Sequence, residues 1–429
     1  MNNLHRVKLG SFFTQSIAGE WGSEPAGIDD VIVYRAADFS KDCKLNVTEG
    51  ALRSVPKSKL RNRKLNRNDI LVEKSGGSPT QPVGRAVIYK PESDEQVATC
   101  SNFLQRLVVD EEYSPEFVYY LMLGLYQANA TLPYQQQTTG IYNLKLEEYL
   151  QTEVDTYVDR NLQEKVADIL STIDNQIDST QALIDKYTAI KQGMMADLFS
   201  RGIDPETKAL RPTFEEAPEL YHKTPLGMLP KEWDAYDIED ISDVIDPNPS
   251  HRNPIYRADG FAFISTVEFI EGDSVKTNTS RRVAESIVLE QERRCAFNEN
   301  SIVFSRKGTI GETRFVPTSC RFALLDSLCV LNPKNVDVTY FYHSLRSPSL
   351  KTQINQMVMG QALPQVSIGR VRELLIPMPN DATEQRLIGQ RIGGIAELLN
   401  SELLHLRKLQ AQKAGLMQDL LTGKVHVPV

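Results

Sequence analysis

The chain has 429 residues, 41% hydrophobic and 24% charged, with a formal net charge of −8. Such a composition argues against a disordered or fibrous chain, and the length allows two or three domains. No apolar run approaches membrane-spanning length and the start, MNNLHRVKLG, lacks a signal-peptide core, so a cytoplasmic location is expected.

Residues 1–155 read as a first α/β module. Short apolar runs at 31–34, 69–73, 84–89 and 103–109 have strand character. Ser114-Pro-Glu-Phe-Val-Tyr-Tyr-Leu starts with a cap and an N1 proline, then turns helical. The stretch Lys74-Ser-Gly-Gly-Ser-Pro reads as a loop between two strands.

Residues 156–203 read as a long helix. Val166, Leu170, Ile173, Ile177, Ile184, Tyr187, Met194 and Leu198 alternate in steps of four and three once Thr180 and Lys191 are added. This is a heptad seam, which needs a partner helix. A straight helix over 161–199 would be about 58 Å long. Gly202 can supply a left-handed cap and Pro205 cannot continue the helix. Five prolines between 205 and 230 make 204–230 read as a linker.

A second module is expected over 231–379, a second long helix over 380–424 and a tail over 425–429. The seam recurs without a gap at Ile388, Ile392, Ile395, Leu399, Leu406, Leu409, Leu416 and Leu420, and its polar positions recur as Glu402 and Lys413. Such a match marks an internal repeat. The modules also correspond in outline. Asn68-Asp-Ile-Leu-Val-Glu-Lys-Ser-Gly-Gly matches Asn300-Ser-Ile-Val-Phe-Ser-Arg-Lys-Gly-Thr, and Phe117-Val-Tyr-Tyr-Leu matches Tyr340-Phe-Tyr-His-Ser-Leu. The expected fold class is α+β: two similar α/β modules separated by two long helices in an antiparallel coiled coil, with a pseudo-twofold internal repeat.

Several polar groups are candidates for nucleic-acid contact. Lys57, Lys59, Arg61, Arg63, Lys64 and Arg67 could neutralise phosphates, although a basic run is also an ordinary solvated loop. Gln135, Gln136, Gln137, Thr138 and Thr139 could read base edges, since glutamine pairs bidentately with adenine and threonine touches thymine methyl. Gln356 and Gln361 fall in the corresponding stretch of the second module. The glycine-bearing loops containing Lys74 and Ser75, and Arg306, Lys307, Thr309 and Arg314, would allow close phosphate approach; a hairpin or bulge is the alternative. Arg281 and Arg282 form a further basic pair.

The overall acidity does not exclude DNA, because residues 151–205 alone hold ten acidic and five basic side chains, and that stretch is the expected strut. Catalytic constellations such as Gly-x-Ser-x-Gly or HExxH are absent from the sequence. Five scattered cysteines and six histidines show no metal-ligand spacing, so neither a disulfide framework nor a metal site is expected.

With these residues in view, the chain resembles the specificity subunit of type I restriction–modification systems over essentially its whole length. The resemblance rests on the helix ends Lys191-Gln-Gly-Met-Met-Ala-Asp-Leu-Phe and Lys413-Ala-Gly-Leu-Met-Gln-Asp-Leu-Leu. It rests also on Ile376-Pro-Met-Pro with Glu384-Gln385-Arg386, and on Met228-Leu-Pro-Lys-Glu-Trp-Asp. The first long helix departs from the pattern, with Asn161-Leu-Gln replacing Glu-Gln. The resemblance implies two target recognition domains, each reading half of a split double-stranded DNA target. It implies helices that set the separation and dock two modification subunits, which carry S-adenosylmethionine. Restriction subunits, using ATP and Mg, would join that core; this chain would hold no cofactor, catalyse nothing and touch no membrane. The alternatives are a recognition subunit of another methyltransferase or nuclease system, and a helical protein-binding adaptor.

Overall fold

The computed structural model describes residues 4–93, 95–138, 140–250, 254–270, 272–425 and 427. The chain forms two compact units, Met1–Asp178 with Lys408–Val429, and Ser179–Arg407.

In the first unit a four-stranded antiparallel sheet runs in the order Phe13–Ala18, Leu104–Val109, Ile70–Glu73, Ala86–Ile88. Ile70–Glu73 is fully buried, which is why it reads as a continuous apolar run rather than an alternating one. A three-stranded sheet has the order Ala51–Arg53, Val31–Tyr34, Ala98–Cys100, the last pair parallel. The helix Pro115–Gln127 is capped by Ser114, whose hydroxyl accepts from the Phe117 N–H. It lays Phe117, Val118 and Met122 into the core. Leu4–Lys8 pairs with Glu153–Tyr157 just before the first long helix.

The second unit repeats this framework strand for strand. Its four-stranded sheet has the order Ser242–Ile245, Leu328–Pro333, Ile302–Ser305, Thr313–Phe315. Its three-stranded sheet has the order Arg282–Val283, Phe261–Ile264, Phe322–Leu324, again with the last pair parallel. Trp233–Asp237 pairs with Leu375–Pro379 before the second long helix. The fold class is α+β.

The long helices span Arg160–Leu198 and Ala382–Leu421, 39 and 40 residues. In the first unit Val166 and Leu170 share a core with Met417 and Leu420, and Asp174 pairs with Lys413 at 2.6 Å. Ascending numbers on one helix meet descending numbers on the other, so the two run antiparallel there. In the second unit Met195 and Leu198 share a core with Ile388 and Ile392.

Along the seam Val166, Leu170, Ile173, Ile184, Leu198, Ile388, Ile392, Ile395, Leu406, Leu409 and Leu420 are buried. Ile177, Tyr187, Met194, Leu399 and Leu416 are half-buried. At the distal ends the buried residues include Met195 and Met417, neighbours of the seam positions. There the helix packs against its module as well as its partner, so the apolar stripe widens beyond a two-position seam.

Each long helix is fixed at its start by a buried glutamine. Gln163 accepts from the Ser114 N–H at 2.9 Å and donates to the Tyr157 carbonyl at 2.8 Å. Gln385 accepts from the Asp337 N–H at 2.9 Å and donates to the Pro379 carbonyl at 2.8 Å. The departure read at Asn161-Leu-Gln is therefore smaller than the sequence suggests, because the working glutamine is kept. What differs is Glu384. Its carboxylate accepts from the Ile203 N–H at 2.9 Å and from Arg211 Nη2 at 2.9 Å, anchoring the chain that leaves the first long helix. Gly202 sits at φ +64, and a Cβ there would lie 2.3 Å from the Glu384 carboxylate.

The stretch 204–230, expected as a linker, is instead built into the second unit. Tyr221–Thr224 and Gly227–Pro230 form a hairpin, and Leu229 lies in the core with Ile203 and Trp233. Proline density marked irregular backbone, but buried apolar side chains decide whether such a stretch docks.

Candidate nucleic-acid interface

The basic run does not present six free cations. Lys57 pairs with Asp29 at 2.7 Å and Lys59 with Glu20 at 2.9 Å. Arg63 donates to the carbonyls of Ala18 and Lys59, and Arg67 to that of Pro91. Arg61 and Lys64 are exposed, with no ion pair among the described residues. Exposed pairs such as Lys57–Asp29 are worth little in water, so these lysines can exchange partners.

The Lys74–Ser75 stretch and the glutamine-rich stretch, read as separate loops, are joined in one sheet. Its order is Gln135–Thr138, Ile141–Leu144, Ser75–Gly77. Ser75 Oγ donates to Asn143 Oδ1 at 2.5 Å. Gly140, at φ +86 with open space around it, provides the turn of the hairpin. Gln136 and Gln137 are exposed; Gln135 is half-buried, and its amide nitrogen is buried without a hydrogen-bond partner. Thr139 lies outside the described residues. Lys74 Nζ donates to Gln105 Oε1 at 3.2 Å, and burial lowers the Lys74 pKa from that of an ordinary lysine.

The second unit makes the same join at the same places. Ser75 faces Asn143 in the first unit; Lys307 faces Gln365 in the second. The Leu144 N–H donates to the Lys74 carbonyl at 2.8 Å, and the Val366 N–H to the Arg306 carbonyl at 2.8 Å. Beside this contact lies a pocket of about 810 Å³, whose walls include Arg306, Lys307, Gln361, Gln365 and Arg370. Arg306 is buried at 5% exposure, and its Nε and Nη2 have no hydrogen-bond partner. Lys307 pairs with Asp326 at 2.6 Å. Gln361 closes its own loop, donating to the Met357 carbonyl and accepting from the Gln365 N–H. Gln356 and Thr309 are exposed.

Three other candidates serve the fold. Arg281 is held by the Glu268 carboxylate and donates to Ser265 Oγ at 2.8 Å. Arg282 donates to the Gly260 carbonyl at 2.8 Å. Arg314 is buried, donates to the Thr313 carbonyl at 2.7 Å and lies 5.0 Å over the Phe269 ring. Adjacent arginines suggested a basic patch, but partners distant in sequence consume their donors. Sequence reading also missed Arg370, which gains meaning only when the pocket is assembled.

Among the described residues no group of three or more His, Cys, Asp or Glu could hold a metal ion, and no helix is long and apolar enough to cross a membrane.

The sequence model of the type I restriction modification DNA specificity domain matches residues 230–403. The type I restriction enzyme MjaVIII specificity subunit of Methanocaldococcus jannaschii is 21% identical over 276 residues, 62% of this chain and 60% of that protein. The chain is thus similar to the specificity subunits of type I restriction–modification systems, with the family's domain matched over residues 230–403. A second specificity subunit of that organism, the putative MjaX subunit, is 22% identical over 267 residues, 62% of this chain and 57% of its own length. The chain thus spans about 60% of the length of these two curated relatives. The specificity-subunit fold is seen directly in the S subunit of a type I restriction–modification system from M. genitalium. That structure has a TM-score of 0.59 at 16% identity, covering 97% of this chain and 96% of that one.

Proposed function

We propose that this chain is the DNA sequence-recognition subunit of a type I restriction–modification complex. Each unit's module reads one half of a split, asymmetric duplex target, and the paired long helices set the number of base pairs between the halves. The observation that carries this reading is the repeated join: two units place the same two loops in contact while the loop sequences differ. One framework carrying two unlike surfaces suits two unlike half-sites. The chemistry is left to other chains. Two modification subunits with S-adenosylmethionine dock on the helices, and restriction subunits using ATP and Mg join them.

The test is selection of bound duplexes by the chain assembled with its modification subunits. The expected outcome is two fixed blocks of bases flanking a fixed number of unspecified ones. Removing one heptad within 169–185, with the facing heptad of the second long helix, shortens the rod by about 10 Å. At about 34 Å per turn of DNA, the spacer should then change by about three base pairs while both blocks stay the same. An unchanged spacer would overturn the ruler, and a single uninterrupted block would overturn the two-module reading.

A further inference from the structure

The position shared by Lys74 and Arg306 is basic in both units although the surrounding loops diverge. In each unit this residue follows the buried central strand, its carbonyl accepts an equivalent N–H, and its successor bridges to the second loop. A side chain that reads bases has to differ between modules with different targets. One that holds the sugar–phosphate backbone does not, because every duplex presents the same phosphates.

Arg306 shows what such a residue is built for. The nearest ion-pair partner of its Nη2 is Asp246 at 3.8 Å, beyond hydrogen-bond reach, so two of its donors lie buried and unused on a residue that lines the pocket. Unmade hydrogen bonds on a buried guanidinium are costly, and a ligand that supplies two acceptor oxygens removes that cost. A phosphate matches the guanidinium fork in just this way. Lys307 and Arg370 stand at the wall, paired with Asp326 at 2.6 Å and Glu373 at 3.4 Å, and among the ten wall residues none is acidic.

We infer that this pocket seats one phosphate of the DNA backbone, with Arg306 Nε and Nη2 donating to two of its oxygens and Arg370 closing the mouth. The inference rests on the recognition reading above and adds a division of labour to it. Arg306 fixes the register of the second module on the duplex, and the divergent loops choose the bases.

The experiment uses the full chain assembled with its modification subunits, bound to its selected duplex over a series of KCl concentrations. Arg306→Gln should lower the slope of log affinity against log salt by about one, the contribution of one phosphate contact. It should weaken the selected duplex and its single-base variants by the same factor. Arg370→Gln should lower the slope as well, and its side chain is 64% exposed, so folding is not at stake. Relaxed preference at a single base pair in Arg306→Gln would overturn the seat in favour of a base reader. Unchanged slopes in both variants would make Arg306 a structural arginine. If Arg306→Gln fails to fold, an unchanged slope in Arg370→Gln overturns the seat by itself. A wild-type complex that binds all duplexes alike would instead overturn the recognition reading.

Discussion

In the first unit Lys413 interrupts the apolar seam and reaches Asp174 on the facing helix at 2.6 Å, where Tyr120 Oη also donates to that carboxylate at 2.8 Å. Its counterpart in the second unit is Lys191. Ala396 stands where Asp174 would be, and His343 where Tyr120 would be. Among the described residues Lys191 has no ion pair; burial lowers its pKa, and attraction to Asp273 works against that. Asp273 lies between the strands Phe269–Ile270 and Ser274–Val275 and accepts two hydrogen bonds of 2.8 Å from Arg346. The duplicated lysine has kept its place while its partners have changed. In the first unit the seam's polar position is answered by the other helix; in the second the attraction comes from Asp273 in the globular module. The glutamine clamp shows the opposite behaviour, with donors, acceptors and lengths the same in both units. Features that fix where a helix begins are held constant, and features midway along it are free to couple to different surroundings.

The sharpest way to break this comparison is at the pair that only one unit has. Asp174→Ala leaves the Lys413 side chain, 12% exposed, without its counter-charge and should cost roughly 3–5 kcal/mol in chemical denaturation. Ala396→Gly, at the equivalent position, should cost about 1 kcal/mol, the ordinary penalty of a helical glycine. Equal losses would mean that the seam lysines are equivalent after all.

Next come the clamps. Gln163→Ala and Gln385→Ala each strand a buried N–H and a carbonyl, so roughly 2–4 kcal/mol is expected from either, read as matched shifts in unfolding midpoint. A large loss in one and none in the other would separate the two helix starts.

The smallest effect at any one step is a difference in acid response. Burial, reinforced by Lys191 and Arg346, pushes the His343 pKa down to about 3 from an ordinary 6.5. The unfolded chain therefore takes up a proton that the folded chain refuses. Stability in the second unit should fall as pH drops from about 6.5 towards 3, by at most about 1.4 kcal/mol per pH unit. For Asp273 burial alone would raise the pKa, but the Arg346 hydrogen bonds outweigh it and leave the carboxyl below its usual range, so its loss begins only under about pH 4. His343→Gln should flatten the upper part of this slope, measured as melting temperature against pH. An unchanged slope would remove His343 from the account.

The repeat and its long helices were legible because a narrow apolar stripe sustained from Val166 to Leu198, and again from Ile388 to Leu420, has the period of a helix that pairs with another helix. Strands such as Ile70–Glu73 were legible because burial on both faces leaves an apolar run. The site was less legible, for a physical reason. Ser75 and Asn143 lie 68 residues apart, and only strand pairing brings them together. Arg281 and Arg314 read as available cations because nothing local shows that Glu268, the Ile270 carbonyl and the Phe269 ring occupy them. Gln163 was misjudged because its clamp is recognised by geometry, while its immediate neighbours differ from those of Gln385. The residues 204–230 were misjudged because prolines announce a bent path but not where it goes.

Trp233 and Pro379 face each other across one rung of an antiparallel ladder. The intervening polypeptide, which includes the four- and three-stranded sheets of the second module, departs and returns through adjacent backbone positions. It is attached like a bead on a single clasp, and a graft of different length or shape can be accommodated without shifting the strands that carry it. Leu4 and Tyr157 form a similar clasp in the first unit. An evolutionary exchange of either bead keeps the chain path intact where the incoming segment matches both that narrow neck and the helix face on which the module packs.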